Sequence, residues 1–348
     1  MGGVLGWFRK KPIQAALVAG LTLLVVSGCS ASSKPSRTHA VAAVVPLAAL
    51  PFSDASVNGL PVITVRIGAD PPVRLLLDTG SVGIRVSTHA LPFGGDSGVY
   101  EGPLQVSEEF ADGLEFFGPV DTATVTVGGV TTTTPIPLQV VNRVHCRNPR
   151  LLFCSGSTPG GIVGIMGIGL HSVPGAEPVN PLENLPAPYD RTWSIALHRH
   201  GSLGSGSLVL GASLPRHSAH VTLSRQPATV ERTAGWNDRP RLCIFHLFSY
   251  CGPTVIDTGT VHMAQNVPHE SGFLGNPVAF SGTRITLLTS AYGNPVWTFR
   301  ASGRQGVNQL AIGQIPPSVW AVPLFYAKTV TYDLVHGVID LSRQTSQT

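Results

Sequence analysis

Leu75-Leu76-Leu77-Asp78-Thr79-Gly80-Ser81 in the first half of the chain is answered by Thr254-Val255-Ile256-Asp257-Thr258-Gly259-Thr260 in the second, and the repeat decides how the rest is read. One Asp-Thr-Gly is a weak motif, often no more than a strand ending in a turn. Two copies half a chain apart are different. Each follows a largely apolar run and each precedes a hydroxyl residue, as in a duplicated lobe that brings one carboxylate per half to a common cleft. Two carboxylates sharing a site cannot both ionise easily, so the pair holds one proton. One partner can then take a proton from water while the other hydrogen-bonds to a carbonyl oxygen. Gly80 and Gly259 allow a tight turn and close approach. Ser81 and Thr260 can donate to the carboxylates, which lowers their pKa values and implies an acidic optimum.

The composition agrees with a β-rich exported domain. Of 348 residues, 43% are hydrophobic and only 12% charged, against about 25% charged in average domains, which excludes disordered and coiled-coil classes. The 39 Gly and 29 Pro break short runs of Val, Ile, Leu and Thr into strands. Val62 to Ile67, a turn at Gly68-Ala69-Asp70-Pro71, and Val73 to Leu77 read as a hairpin delivering the chain to Asp78. Further strands are expected at 122–127, 136–141, 207–210 and 329–332, and short helices at Trp193 to Arg199 and Pro317 to Tyr326. A shift in composition near Pro215-Arg216-His217 divides an N-terminal lobe, 43–215, from a C-terminal lobe, 216–348.

The net charge of +4 falls to +1 once Arg9, Lys10 and Lys11 are set aside, so nothing favours a nucleic-acid partner. Those three charges precede an uncharged apolar run from Ile13 to Val26, the plan of a secretory signal and too short for the roughly 20 residues of a membrane span. It ends in Val26-Ser27-Gly28-Cys29, which resembles a bacterial lipobox. Residues 1–28 are thus expected to be a lipoprotein signal, Cys29 the lipidated residue, and 29–42 a tether holding the domain at the extracytoplasmic face of the membrane, with simple secretion as the alternative. The tether is too short to contain a long pro-segment, so no zymogen is expected. Cys146, Cys154, Cys243 and Cys251 form an even set for an oxidising compartment. Three connectivities are open, of which the local bridges Cys146–Cys154 and Cys243–Cys251 are simplest.

Beyond these residues the chain resembles the pepsin-like aspartic proteases. Gly161-Ile162-Val163-Gly164-Ile165-Met166-Gly167-Ile168-Gly169 looks like the segment crossing behind the first catalytic loop. Trp193 to Leu197 followed by Gly206 to Gly211 is similar to the end of the N-terminal lobe. Val322-Pro323-Leu324-Phe325, Thr331-Tyr332-Asp333 and Gly337-Val338-Ile339 look like the closing segment. Phe110-Ala111-Asp112-Gly113 with Phe117-Gly118-Pro119-Val120, together with the lipobox, is closer to bacterial members, including the mycobacterial type related to the PE cleavage protease domain.

The resemblance implies an all-β bilobal fold with few short helices, catalysis by Asp78 and Asp257, and support from Thr79, Gly80, Ser81, Thr258, Gly259 and Thr260. It also implies a substrate-covering flap at Phe110, Asp112 and Gly113, where Phe110 stands in place of the usual Tyr and Tyr100 is the alternative aromatic. Ala321-Val322-Pro323 replaces an expected apolar-apolar-Gly, so a different backing is expected behind Asp257. Serine-hydrolase and zinc-protease motifs are missing, His198-Arg199-His200 and His269-Glu270 do not form a metal set, and no cofactor is expected. The expected partner is an extended peptide, cleaved by a monomer. The alternative is an inactive cell-envelope binding protein on the same scaffold.

Overall fold

A computed structural model describes residues 42–51, 59–91, 97–149, 151–154, 159–200, 203–214, 218–245, 249–267, 278–303, 308–313 and 317–344. Cys29, the signal and most of the tether lie outside the described residues, as do Pro215 to His217 and His269-Glu270. The described chain is mostly strand, gathered into a 17-stranded sheet, a 7-stranded sheet and a small two-stranded one.

The first carboxylate is carried by a cluster of strands whose residues follow their burial. In β1 (Pro61–Ile67) the buried Ile63, Val65 and Ile67 alternate with exposed Thr64 and Arg66, the period of a strand with one wet face. β2 (Val73–Asp78) pairs antiparallel with β1 and buries four residues in succession, Leu75 to Asp78. β3 (Val82–Ser87) returns from the Asp-Thr-Gly turn. A hairpin follows, β4 (Gln105–Glu109) and β5 (Leu114–Ala123), joined by a turn at 110–113. β6 (Ile136–Val141) pairs antiparallel with β5 and parallel with β3. β7 (Ile162–Ile168) lies parallel to β2 and antiparallel to β3, so its ladder partners satisfy the backbone on that side of both strands.

Trp193 to Arg199 is a strand, not the expected helix. β8 (Thr192–His200) pairs along its length with β9 (Leu203–Leu210). Trp193, Ile195 and Leu197 are each fully buried, so the apolar period is two, and ladder partners on both sides satisfy the backbone.

In the second half β10 (Arg241–Phe245) and β11 (Ser249–Ile256) form the hairpin that leads to Asp257. β12 (Met263–Asn266) and β13 (Ser318–Trp320) follow, β13 lying parallel to β11. The helix expected over Pro317 to Tyr326 is confined to α1 (Pro323–Ala327), because its first residues pair with β11 and Pro323, which has no N–H to give, takes the first helical position. The chain ends in β14 (Lys328–Asp333) and β15 (Val338–Arg343), and β14 joins the first-half sheet beside β8. Among the described residues no helix is long and apolar enough to cross a membrane.

Candidate active site

Asp78 is the last residue of β2, and the chain turns at once through Thr79-Gly80-Ser81 into β3. β7 lies behind this turn with Gly167 opposite Asp78 in register. A Cβ on Gly167 would come within 2.7 Å of the Ser81 backbone, and one on Gly169 within 2.8 Å, so only glycine fits at either place. The Gly169 N–H donates to the Ser81 carbonyl at 2.7 Å and tethers the turn. Asp257 follows β11 in the same way. Its N–H donates to Trp320 O at 2.9 Å, and Val322 N–H donates to Thr260 O at 3.0 Å.

Each carboxylate is gripped by its own turn. Asp78 accepts from Gly80 N–H at 2.7 Å and from the Ser81 hydroxyl at 2.5 Å. Asp257 accepts from Gly259 N–H at 2.6 Å and from the Thr260 hydroxyl at 2.5 Å. The two turns are also locked to each other. Thr79 N–H donates to Thr258 Oγ1 and Thr258 N–H to Thr79 Oγ1, both at 3.0 Å. Each hydroxyl then donates across to the opposite strand, Thr79 to Ile256 O at 2.8 Å and Thr258 to Leu77 O at 2.7 Å. Both threonines are buried, so the four bonds form in a dry environment where leaving any one unmade is costly.

This lock sets the carboxylates face to face. A Cβ on Gly80 would sit 2.6 Å from Asp257 Cγ, and a Cβ on Gly259 would sit 2.6 Å from Asp78 Oδ1. Burial pushes the Asp257 carboxyl well above the usual carboxylate range, and the neighbouring Asp78 charge and a hydrogen bond shared with Asp78 push it further. The Thr260 and Gly259 hydrogen bonds pull the other way. A pair so placed retains a proton where an isolated carboxyl would have lost it, which equips one site to accept a proton and donate one in the same cycle.

The structure therefore brings together all eight residues expected at the paired turns. Phe110, Asp112 and Gly113 lie together in the β4–β5 turn, where Phe110 N–H donates to Leu114 O at 2.7 Å, Asp112 Oδ1 accepts from Leu114 N–H at 3.0 Å, and Gly113 has φ +87°. Tyr100 is on a separate short strand, paired at Thr122 near the far end of β5 and 63% exposed. Cys146 is bonded to Cys154 and Cys243 to Cys251, the local pairing. Among the described residues no group of His, Cys, Asp or Glu could hold a metal ion. The sequence reading missed Arg85, whose signal was a lone charge in the apolar run Val82-Gly83-Ile84-Arg85-Val86, and which is 4% exposed in an ion pair with Glu108. It also missed His262, two residues beyond Thr260, whose pKa is lowered by burial.

The chain is similar to known proteins in sequence over its first part and in fold over most of its length. The model of the PE-PGRS C-terminal aspartyl peptidase-like domain matches residues 45–225. A search of curated protein sequences found no match. Among solved structures, the aspartic proteinase from Irpex lacteus superposes with a TM-score of 0.55 at 15% identity, over 88% of this chain and 99% of that one. At that identity the likeness is one of fold, and the fold is that of a pepsin-like aspartic proteinase.

Proposed function

We propose, for a chain that belongs to the PE-PGRS C-terminal aspartyl peptidase-like family, that it is an aspartic endopeptidase in which Asp78 and Asp257 act as one dyad. The observation that carries this reading is the mutual lock of the two Asp-Thr-Gly turns, which leaves no room for even a methyl group between Gly80 and the Asp257 carboxylate. A structural turn has no need of a second buried carboxylate against it, since pairing like charges is unfavourable. In the proposed cycle a water held between the carboxylates gives a proton to the ionised one as its oxygen bonds to the peptide carbonyl carbon. The protonated partner gives its proton to the carbonyl oxygen, so the carbon carries two hydroxyls. This gem-diol then collapses: the C–N bond breaks, the amine nitrogen takes the proton that came from the water, and one hydroxyl returns its proton to the other carboxylate as C=O re-forms, which leaves the dyad with one proton as at the start.

The substrate in this reading is an extended peptide lying across the two turns under the β4–β5 hairpin, between lobes 43–215 and 216–348 of a monomer, and held by main-chain hydrogen bonds as an added strand would be. The leader ending at Cys29 supports a place at the outer face of a membrane through a lipid anchor, so Cys29→Ala should release the protein from the membrane fraction. The test of the activity is incubation of the full chain with a mixed peptide library across the acidic to neutral range. The reading expects internal cleavage with an acidic optimum, blocked by a statine-type inhibitor. No cleavage at any pH, or cleavage indifferent to that inhibitor, would overturn it.

A further inference from the structure

The hairpin carrying Phe110, Asp112 and Gly113 is gripped from the sheet by two side chains outside the dyad. Gln139 on β6 is fully buried, and its amide donates to Val106 O at 3.0 Å and Phe116 O at 3.2 Å, one carbonyl on each arm of the hairpin. Its register partner on β3 is Arg85. Arg85 Nη1 donates to Val82 O at 2.7 Å, just past the Asp78 turn. Nη2 pairs with the Glu108 carboxylate on β4 at 3.1 Å, and the guanidinium carbon lies 5.8 Å from the centre of the Phe110 ring. Phe110 in turn packs edge-on against Phe116 at 5.4 Å.

A buried guanidinium is a costly way to fill a strand position that an aliphatic side chain would fill at no electrostatic cost. Here the cost is incurred with Nε left buried and without a hydrogen-bond partner. What the charge achieves is a bond between the strand leaving Asp78 and the hairpin. We propose that Arg85 is a positioning residue that latches the hairpin to β3 through Glu108 and Phe110, holding the 110–113 turn in one place relative to Asp78. The latch itself is a property of the free protein, and its effect on turnover rests on the endopeptidase reading.

Amide hydrogen exchange on the full chain tests the latch without requiring catalysis. Glu108→Gln is the principal variant: Glu108 is 36% exposed and Glu177 still interacts electrostatically with Arg85, so the fold should persist. Loss of a partly buried ion pair should speed exchange at Phe110 and Gly113 about tenfold, with β8 and β9 unchanged. Arg85→Met should do at least as much, and adding Glu108→Gln to it should do no more, because the two changes cut one interaction. Peptide turnover by Glu108→Gln should lose kcat/KM mainly through a raised KM. Exchange in Glu108→Gln equal to wild type, or raised equally throughout the molecule, would overturn the latch. If wild type cleaves no peptide while the hairpin still loosens in the variant, the latch stands and the proteolytic reading fails.

Discussion

The two Asp-Thr-Gly turns make the same bonds but rest on different foundations. Behind Asp78, β7 runs alongside β3 through five consecutive register pairs, Gly164 with Val86 to Ile168 with Val82, and the close approach is made by glycines. Behind Asp257, β12 meets β13 at a single register pair, Ala264 with Val319, and the segment behind the turn is Ala321-Val322-Pro323, all buried and without a glycine. Yet Val322 N–H reaches Thr260 O as Gly169 N–H reaches Ser81 O. The second half also draws on Met263, whose sulfur accepts from Ala321 N–H at 3.3 Å. The turn chemistry therefore depends on the Asp, the Gly and the two hydroxyls, while the backing need only offer one N–H in the right place. The expectation that Ala321-Val322-Pro323 would need a different arrangement holds for the packing and not for the tether.

The comparison can be broken at four points. The largest effect is expected from Gly80→Ala and Gly259→Ala, since each methyl would push against the opposite carboxylate. Displacement of a reacting group by about an ångström costs on the order of 100-fold, so both variants should lose kcat by about that factor in a peptide assay. A loss confined to one would show that the two carboxylates are not equivalent. Thr79→Val and Thr258→Val come next. Each removes one donor and one acceptor from the lock and strands a buried N–H and a carbonyl, so urea unfolding should show a loss of about 3 kcal/mol for either. Unequal losses would locate the stronger foundation.

Replacing either disulfide by serines should cost about 2 kcal/mol. Both pairs have a sequence separation of 8, so the unfolded chain gains the same freedom and any difference reports on the folded halves. At acidic pH the smallest effect is expected at Glu183, whose pKa burial raises from an ordinary 4.5 to about 7. Because the folded state holds the proton more tightly, its contribution is present below about 4.5 and lost as pH rises to about 7. Glu183→Gln should flatten the decline in melting temperature over that window and leave stability at acidic pH unchanged. The raised Asp257 pKa acts with the same sign.

What was legible in the sequence follows from how local each cause is. The paired turns could be read because Asp, Gly and hydroxyl sit within four residues and their bonds close inside the turn. The first hairpin could be read because Ile63, Val65 and Ile67 alternate cleanly. Trp193 to Arg199 misled because a short run with Ala196 and Leu197 satisfies helix and strand alike until its neighbours are known, and one of those neighbours, β14, comes from far along the chain. β4, Gln105-Val106-Ser107-Glu108-Glu109, carries one apolar residue and no periodic signal, since its pairing to β5 and its attachment through Gln139 and Arg85 are tertiary. Arg85 announced itself only as a charge out of place.

In the proposed mechanism two carboxylates, one from each half, work as a single group. It is tested most directly by assaying wild type, Asp78→Asn and Asp257→Asn side by side on the same peptide at acidic pH, with folding of each checked by thermal melting. Both variants should fold, and each should lose activity by roughly 100- to 10,000-fold, the range of a lost acid–base group. Retention of near-wild-type cleavage by either variant would contradict it.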